Sequence, residues 1–179
     1  TLLGGPINRG GFPGWSPDGS RIAYSDTGDP LRSDKRIYAI SVASLETELL
    51  LDAGDAPSWS PDGSQLTFMD HQGIWVANAD GTGIRAIVPN GHWTTNFAPA
   101  WSPDGSHIAY IRSTNSDYSL HLSRPDGRAV RSFRVGWTTD RFAWSPDGAW
   151  LLWDGRILPT EGPESDVPRA TGLQRETVD

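Results

Sequence analysis

Short runs of β-branched and aromatic residues recur along the chain, and each run is bounded by turn-forming Gly, Pro, Asp or Ser. The most regular set is Arg21-Ile22-Ala23-Tyr24, Gln65-Leu66-Thr67-Phe68, His107-Ile108-Ala109-Tyr110 and Trp150-Leu151-Leu152-Trp153. A second set follows at Ile37-Tyr38-Ala39-Ile40, Ile74-Trp75-Val76-Ala77 and Leu120-His121-Leu122. A third follows at Glu48-Leu49-Leu50-Leu51, Ile84-Arg85-Ala86-Ile87 and Val130-Arg131-Ser132-Phe133. Such runs predict β-strands, so we expect over half of the residues in strands and essentially no helix.

A five-residue motif precedes each run of the first set. It reads Trp15-Ser16-Pro17-Asp18-Gly19 and returns as Trp59-Ser60-Pro61-Asp62-Gly63, Trp101-Ser102-Pro103-Asp104-Gly105 and Trp144-Ser145-Pro146-Asp147-Gly148. The four tryptophans stand 42 to 44 residues apart. Self-similarity at a fixed period of this length is the signature of a repeat architecture. The residues around each tryptophan add a further strand, so the repeat contains four.

The motif predicts a tight turn between the first and second strands of each repeat. Proline fixes φ at the second turn position, Asp tolerates the third, and Gly supplies a positive φ at the fourth. The tryptophan ahead of the turn is large enough to fill the space between neighbouring sheets, so we interpret it as a core residue. The positions with this structural role are Trp15, Asp18, Gly19, Trp59, Asp62, Gly63, Trp101, Asp104, Gly105, Trp144, Asp147 and Gly148.

A four-stranded unit repeated about every 40–45 residues is typical of a β-propeller blade. We therefore predict an all-β fold of four four-stranded blades, either a closed four-bladed ring or part of a larger propeller. The chain, residues 1–179, is expected to be a single domain with blades at approximately 12–54, 55–97, 98–140 and 141–179. The fourth strand of the last blade would be either residues 1–4, a closing outer strand paired with Arg156-Ile157-Leu158, or a segment of the tail such as Leu173-Gln174-Arg175-Glu176.

The pattern Trp-Ser-Pro-Asp-Gly-x-x-Ile-Ala-Tyr resembles the blade signature of the TolB-type propellers, and the resemblance extends over nearly the whole chain. It implies a binding role and a periplasmic or extracellular location. The family usually carries more blades than the four found here, so the chain could also be a fragment, or copies could associate to complete the circle. The same signature occurs in propeller domains of prolyl-oligopeptidase-like serine peptidases and in sensor or scaffold proteins of bacterial envelopes.

The composition excludes several classes of partner. A formal net charge of −7 argues against nucleic acid, because phosphate binding needs a positive surface. The chain has no cysteine for a thiolate site, and its four histidines lack metal-ligand spacing. No apolar stretch has the length of a membrane span. We therefore expect no cofactor, no metal and no membrane insertion.

No activated catalytic nucleophile is recognisable in the sequence. The serines of the four motifs lie in the predicted hairpins, and Gly14-Trp15-Ser16-Pro17 continues with Asp18 and does not complete Gly-x-Ser-x-Gly. The chain is therefore predicted not to be an enzyme itself. The leading hypothesis is a scaffold that binds a protein or peptide through its loop face or its central opening. The alternatives are a propeller that gates a serine peptidase encoded on the same parent chain, and a self-assembling structural module.

Two polar loops each carry a tryptophan and resemble each other. They read Gly91-His92-Trp93-Thr94-Thr95 and Gly136-Trp137-Thr138-Thr139, and in a propeller of this family both would lie on one face. An exposed tryptophan is a frequent anchor in protein contacts, although both loops could instead fold back over the sheet edges. The candidate partner-binding residues are His92, Trp93, Thr94, Arg112, Trp137, Thr138 and Arg141.

Overall fold

All regular secondary structure in the described part of the chain is β. The computed structural model describes residues 13–26, 35–115, 117–135, 142–153 and 156–162. Strands account for more than half of these residues, and they form four antiparallel sheets of consecutive strands. The prediction of an all-β chain built from repeated blades is confirmed.

Each sheet is a meander that corresponds to one copy of the repeat, and we call it a blade. Blade 1 contains β1 (Gly14–Trp15), β2 (Arg21–Asp26), β3 (Arg36–Ser41) and β4 (Thr47–Leu51). Blade 2 contains β5 (Asp55–Trp59), β6 (Gln65–Asp70), β7 (Gly73–Asn78) and β8 (Arg85–Pro89). Blade 3 contains β9 (Thr95–Trp101), β10 (Ile108–Ser113), β11 (Tyr118–Ser123) and β12 (Ala129–Val135). Blade 4 contains β13 (Phe142–Trp144), β14 (Trp150–Trp153) and β15 (Arg156–Pro159).

The Trp-Ser-Pro-Asp-Gly segments form the tight turns that the sequence predicts. In the first of them, the Gly19 N–H donates to the Ser16 carbonyl at 2.9 Å, and Gly19 has a φ of 71°. The Ser16 hydroxyl donates to the Asp18 carboxylate at 2.6 Å; this bond and those from Ser20 lower the pKa of Asp18 to about 2. The other three turns repeat the glycine-to-serine hydrogen bond at 2.9 Å. The motif thus folds through contacts within itself.

Neighbouring blades pack face to face, and the motif tryptophans contribute to this packing. We call the side of a blade that faces the preceding blade its rear face, and the opposite side its front face. Trp59, on the rear face of blade 2, packs with Leu66 against Ala23 of blade 1 and is 7% exposed. Trp101 lies between blades 2 and 3 and is 8% exposed. Both are core residues.

The other two motif tryptophans show that burial depends on the neighbouring blade. Trp144 is half-buried and packs against the core cluster shared by blades 3 and 4. Trp15 differs from the expectation, because it is 60% exposed. It lies on the rear face of blade 1, paired with Ile22, where no described blade precedes it. The same motif therefore yields a core tryptophan only where a preceding blade covers it.

The turns between the third and fourth strands make a second, closer contact between blades. A Cβ on Gly81 in blade 2 would lie 2.1 Å from the Leu50 carbonyl oxygen, and one on Gly127 in blade 3 would lie 2.5 Å from that of Ile87. Both glycines have positive φ, 82° and 91°. In blade 1 the corresponding turn has Leu45, with a φ of 59° and an exposure of 67%. The two described blades that follow another outer strand thus carry glycine at this position.

Three strands of blade 4 lie within the described residues. β15 pairs with β14, and β14 with β13. Residues 1–4, which the sequence suggests as a closing strand for this blade, lie outside the described residues. The closing strand therefore stays a prediction.

Candidate binding face

The loops at one end of the blades bring together four of the predicted site residues. The Trp-Ser-Pro-Asp-Gly turns and the turns between third and fourth strands share one end of the sheets, which we call the hairpin face. The connections from second to third strand, and from each blade to the next, share the other end, which we call the loop face. His92, Trp93, Thr94 and Arg112 are all on the loop face or at its margin. Trp137, Thr138 and Arg141 lie outside the described residues.

The segment between β8 and β9 is a tight turn that presents aromatic rings to solvent. The Gly91 N–H donates to the Thr94 hydroxyl at 2.8 Å, and the Thr94 N–H donates to the Gly91 carbonyl at 3.3 Å. Trp93 is 67% exposed. The His92 ring meets the Trp93 ring edge to face, with centroids 4.5 Å apart. The turn thus presents the Trp93 ring to solvent, with the His92 ring against it.

Two asparagines attach this turn to the blades. Asn96 is fully buried, and its side-chain amide donates to the Asn90 side-chain oxygen at 2.9 Å and to the Pro89 carbonyl at 3.1 Å. Asn90 in turn donates to the His71 carbonyl at 3.1 Å. A buried polar network with its partners satisfied rigidifies the backbone around it. Sequence reasoning did not identify these asparagines, because their partners come from several different segments.

Arg112 is joined to the same network. Its Nε donates to the Asn96 side-chain oxygen at 2.9 Å, and its guanidinium lies 5.9 Å from the centre of the Tyr110 ring. No carboxylate among the described residues lies within salt-bridge distance of Arg112. A guanidinium without an acidic partner can bind carboxylate or carbonyl oxygens of a ligand.

A second pair of aromatic residues lies near the loop face of blade 3. The rings of Phe97 and Tyr118 meet edge to face, with centroids 6.3 Å apart, and Tyr118 is 36% exposed. Sequence reasoning missed both. Tyr118 directly follows the polar connection between the second and third strands of blade 3. An aromatic residue at the start of a strand is the sequence signal that could have identified it.

The inner strands of the four blades line a common opening of about 500 Å³. Ala56 and Ala98 have positive φ values, 50° and 51°, and each precedes a proline. Proline has no N–H to donate and is tolerated on edge strands or at bulges. The residues that line the opening are mainly apolar and include Trp15, Pro57, Trp59, Pro99, Ala100 and Phe142.

An ion pair joins blades 1 and 2 near the loop face. The Asp55 carboxylate accepts hydrogen bonds from Lys35 at 2.7 Å and from Ser25 at 2.5 Å. Burial alone would raise the pKa of Asp55, but these bonds and the Ala56 N–H outweigh it and hold the pKa below its usual value. The residues of this contact are 20 and 30 positions apart, so no local pattern predicts it.

The histidine beneath Arg112 should make stability depend on pH. The His121 ring stacks on Tyr110 at 5.4 Å; burial lowers the pKa of His121 from 6.5 to about 4, and the positive Arg112 adds to this shift. A histidine that is harder to protonate in the folded state gives stability that is fully present above pH 6.5 and is lost as pH falls toward 4. We expect the wild type to lose more unfolding free energy than His121→Gln between these pH values in urea titrations. Equal slopes for the two proteins would contradict this.

The described residues provide no metal site. They contain no group of three or more His, Cys, Asp or Glu side chains that could hold an ion. No helix among them is long and apolar enough to cross a membrane. The loop face thus carries an exposed tryptophan and, at Arg112, a guanidinium that has no carboxylate partner among the residues the structure describes.

Comparisons with known proteins agree with this architecture. The family model of the TolB beta propeller domain matches residues 8–157. A search of curated protein sequences gives no match. Among solved structures, a putative TolB from Agrobacterium tumefaciens is 26% identical with a TM-score of 0.61, and the alignment covers 75% of this chain and 54% of that chain.

Two further structures show the same fold at lower identity. A TolB from Acinetobacter baumannii is 19% identical with a TM-score of 0.60, covering 84% of this chain and 41% of that chain. An oligogalacturonate lyase in complex with manganese is 17% identical with a TM-score of 0.66, covering 84% and 50%. The chain thus spans about half the length of these solved chains. With a family match over most of its length and four copies of the blade repeat, the chain belongs to the TolB β-propeller family.

Proposed function

We propose that this chain is a non-catalytic scaffold that binds a protein or peptide through its loop face. The observation that carries the proposal is Trp93, which is 67% exposed on a turn held by buried asparagines. A rigid aromatic side chain loses little conformational entropy on binding, and tryptophan is enriched among the residues that dominate interface energies. Family membership supports the proposal, because TolB-like propellers commonly mediate protein interactions and are typically non-catalytic.

The neighbouring groups indicate what kind of segment would bind. Arg112 offers a cation for a side-chain carboxylate, a chain terminus or a backbone carbonyl. Trp93 and Tyr118 offer apolar rings for an aromatic or aliphatic side chain. The central opening, lined mainly by proline, alanine and tryptophan, could accept a further apolar group. We therefore propose an extended segment with an apolar side chain next to an acidic group.

The test is a selection of displayed random peptides on the full chain, followed by affinity measurements on variants. Trp93→Ala should weaken the selected peptides about tenfold or more, the usual effect of losing an interface hot spot. Arg112→Gln should weaken those that carry an acidic group. Ile84→Ala is the matched control, because Ile84 is 55% exposed on the hairpin face, and it should bind as the wild type does.

Two outcomes would count against the proposal. Peptides that bind Trp93→Ala and Arg112→Gln as tightly as the wild type would show that the loop face is not the binding surface. Peptides weakened only by Ile84→Ala would assign binding to the hairpin face. Melting curves of Trp93→Ala and Ile84→Ala should match the wild type, since both residues are exposed. Arg112→Gln should melt somewhat lower, because it loses the hydrogen bond to the buried Asn96.

A further inference from the structure

The three contacts between blades follow one pattern, in which the face of one blade packs on the face of the next. Each end of the row of blades has one of these two faces. A rear face with large apolar side chains packs on the front face of the blade before it. Phe68 and Ala77 of blade 2 pack on Ile37 and Leu51 of blade 1, and Trp101 packs with Ile74 and Val76. Within the described residues, no blade covers the rear face of blade 1 or the front face of blade 4.

The uncovered rear face is apolar. Trp15 pairs with Ile22, and Tyr38 pairs with both Tyr24 and Leu49, so these five residues lie on one side of blade 1. Trp15 is 60% exposed and Leu49 is 48% exposed, whereas the tryptophans equivalent to Trp15 in blades 2 and 3 are almost covered. The rear face of blade 1 is thus as apolar as the rear faces that pack on a preceding blade, but no described blade packs on it.

The uncovered front face of blade 4 shows the complementary feature. Leu152 occupies the strand position that Ala23, Thr67 and Ala109 occupy in blades 1 to 3, directly after the residue paired with the motif tryptophan. Those three residues are fully buried by the next blade, but Leu152 is 51% exposed. A leucine at this position adds apolar area to the front face of blade 4.

The first hairpin and the turn between the third and fourth strands of blade 1 also differ from their equivalents in blades 2 and 3. A Cβ on Gly63 would lie 3.6 Å from Pro17 of the preceding hairpin, whereas one on Gly19 would meet nothing within 4 Å. No residue that the structure describes therefore abuts Gly19 on the rear side of blade 1. Leu45 takes the turn position of Gly81 and Gly127, which abut the preceding outer strand in blades 2 and 3.

We propose that copies of this chain associate head to tail, with the rear face of blade 1 packed on the front face of blade 4 of a second copy. This contact continues the pattern of the internal blade contacts. Trp15 would pack on Leu152 as Trp59 packs on Ala23, and Gly19 would approach the hairpin of blade 4. The proposal concerns the ends of the blade row and is independent of the loop face.

The test is the solution mass of the full chain and of two variants, measured by sedimentation velocity over a wide concentration range. The wild type should reach at least twice the monomer mass of 19.5 kDa. Trp15→Arg and Leu152→Arg should each be monomers, because each lacks one half of the contact. An equimolar mixture of the two should form a complex of two chains that grows no further, since the variants retain complementary intact faces.

The controls separate this contact from other modes of association. Ile84→Arg, an exposed change on the hairpin face, and Trp93→Ala, on the loop face, should both keep the wild-type mass. Circular dichroism should show that every variant is folded. A monomeric wild type would overturn the proposal, and so would a mixture that stays monomeric. Self-association of Leu152→Arg alone, with Trp15→Arg monomeric, would indicate a rear-to-rear contact and would also overturn it.

Discussion

Trp101→Ala and Trp59→Ala should each lower the free energy of unfolding by about 3–5 kcal/mol, the usual cost of truncating a buried tryptophan. Both side chains fill the space between two blades, and each is less than a tenth exposed. Trp59 also donates its indole N–H to the Gly14 carbonyl at 3.1 Å. Urea titration monitored by circular dichroism measures the effect.

Trp93→Ala and Trp15→Ala are the matched controls for these two variants. Trp93 is 67% exposed and Trp15 is 60% exposed, so both changes should cost much less than the core substitutions. Trp15→Ala is measured at a concentration where the chain is monomeric, because self-association would otherwise add to its effect. Equal losses in all four variants would mean that the exposed tryptophans also carry core packing.

Gly81→Ala should cost roughly 2–5 kcal/mol. The alanine would be held at a positive φ, which costs about 1–2 kcal/mol, and its Cβ would press on the backbone of β4. A Cβ there lies 2.1 Å from the Leu50 carbonyl oxygen. Relief of this clash requires blade 1 to move away from blade 2, because backbone atoms cannot rotate out of the way as a side chain can.

Gly19→Ala isolates the steric part of that effect. Gly19 has a similar φ, 71°, but a Cβ there would meet nothing within 4 Å. We expect it to cost about 1–2 kcal/mol, the conformational strain alone. Unfolding free energies from the same urea titrations give the comparison. If the two alanine variants were equally destabilised, the close approach of Gly81 to β4 would have no energetic consequence.

The repeat and its turns could be predicted because both are local. Five residues contain everything that the Trp-Ser-Pro-Asp-Gly turn needs, and the structure shows the expected hydrogen bonds in all four copies. The exposure of Trp15 could not be predicted in this way. Its motif matches the other three, and its surroundings differ only in what lies beyond blade 1.

The candidate site was only partly accessible to the same reasoning. A tryptophan in a polar loop identified Trp93, but the buried asparagines beneath it depend on contacts between four segments. The Asp55 ion pair likewise joins residues from two blades. Trp137, Thr138 and Arg141 stay predictions as partner-binding residues, as do the gating of a serine peptidase and the periplasmic or extracellular location.

The stacking of the blades has a consequence for the order in which the protein unfolds. Because the core clusters of the described residues each join neighbouring blades, the stability of a blade is approximately its own contribution plus that of its one or two contacts. Blades 2 and 3 have a neighbour on both sides, whereas blades 1 and 4 have one each within the described residues. Unfolding should therefore begin by fraying at the two ends of the row and proceed inward. A second copy packed on either end would stabilise the terminal blade there and suppress its fraying.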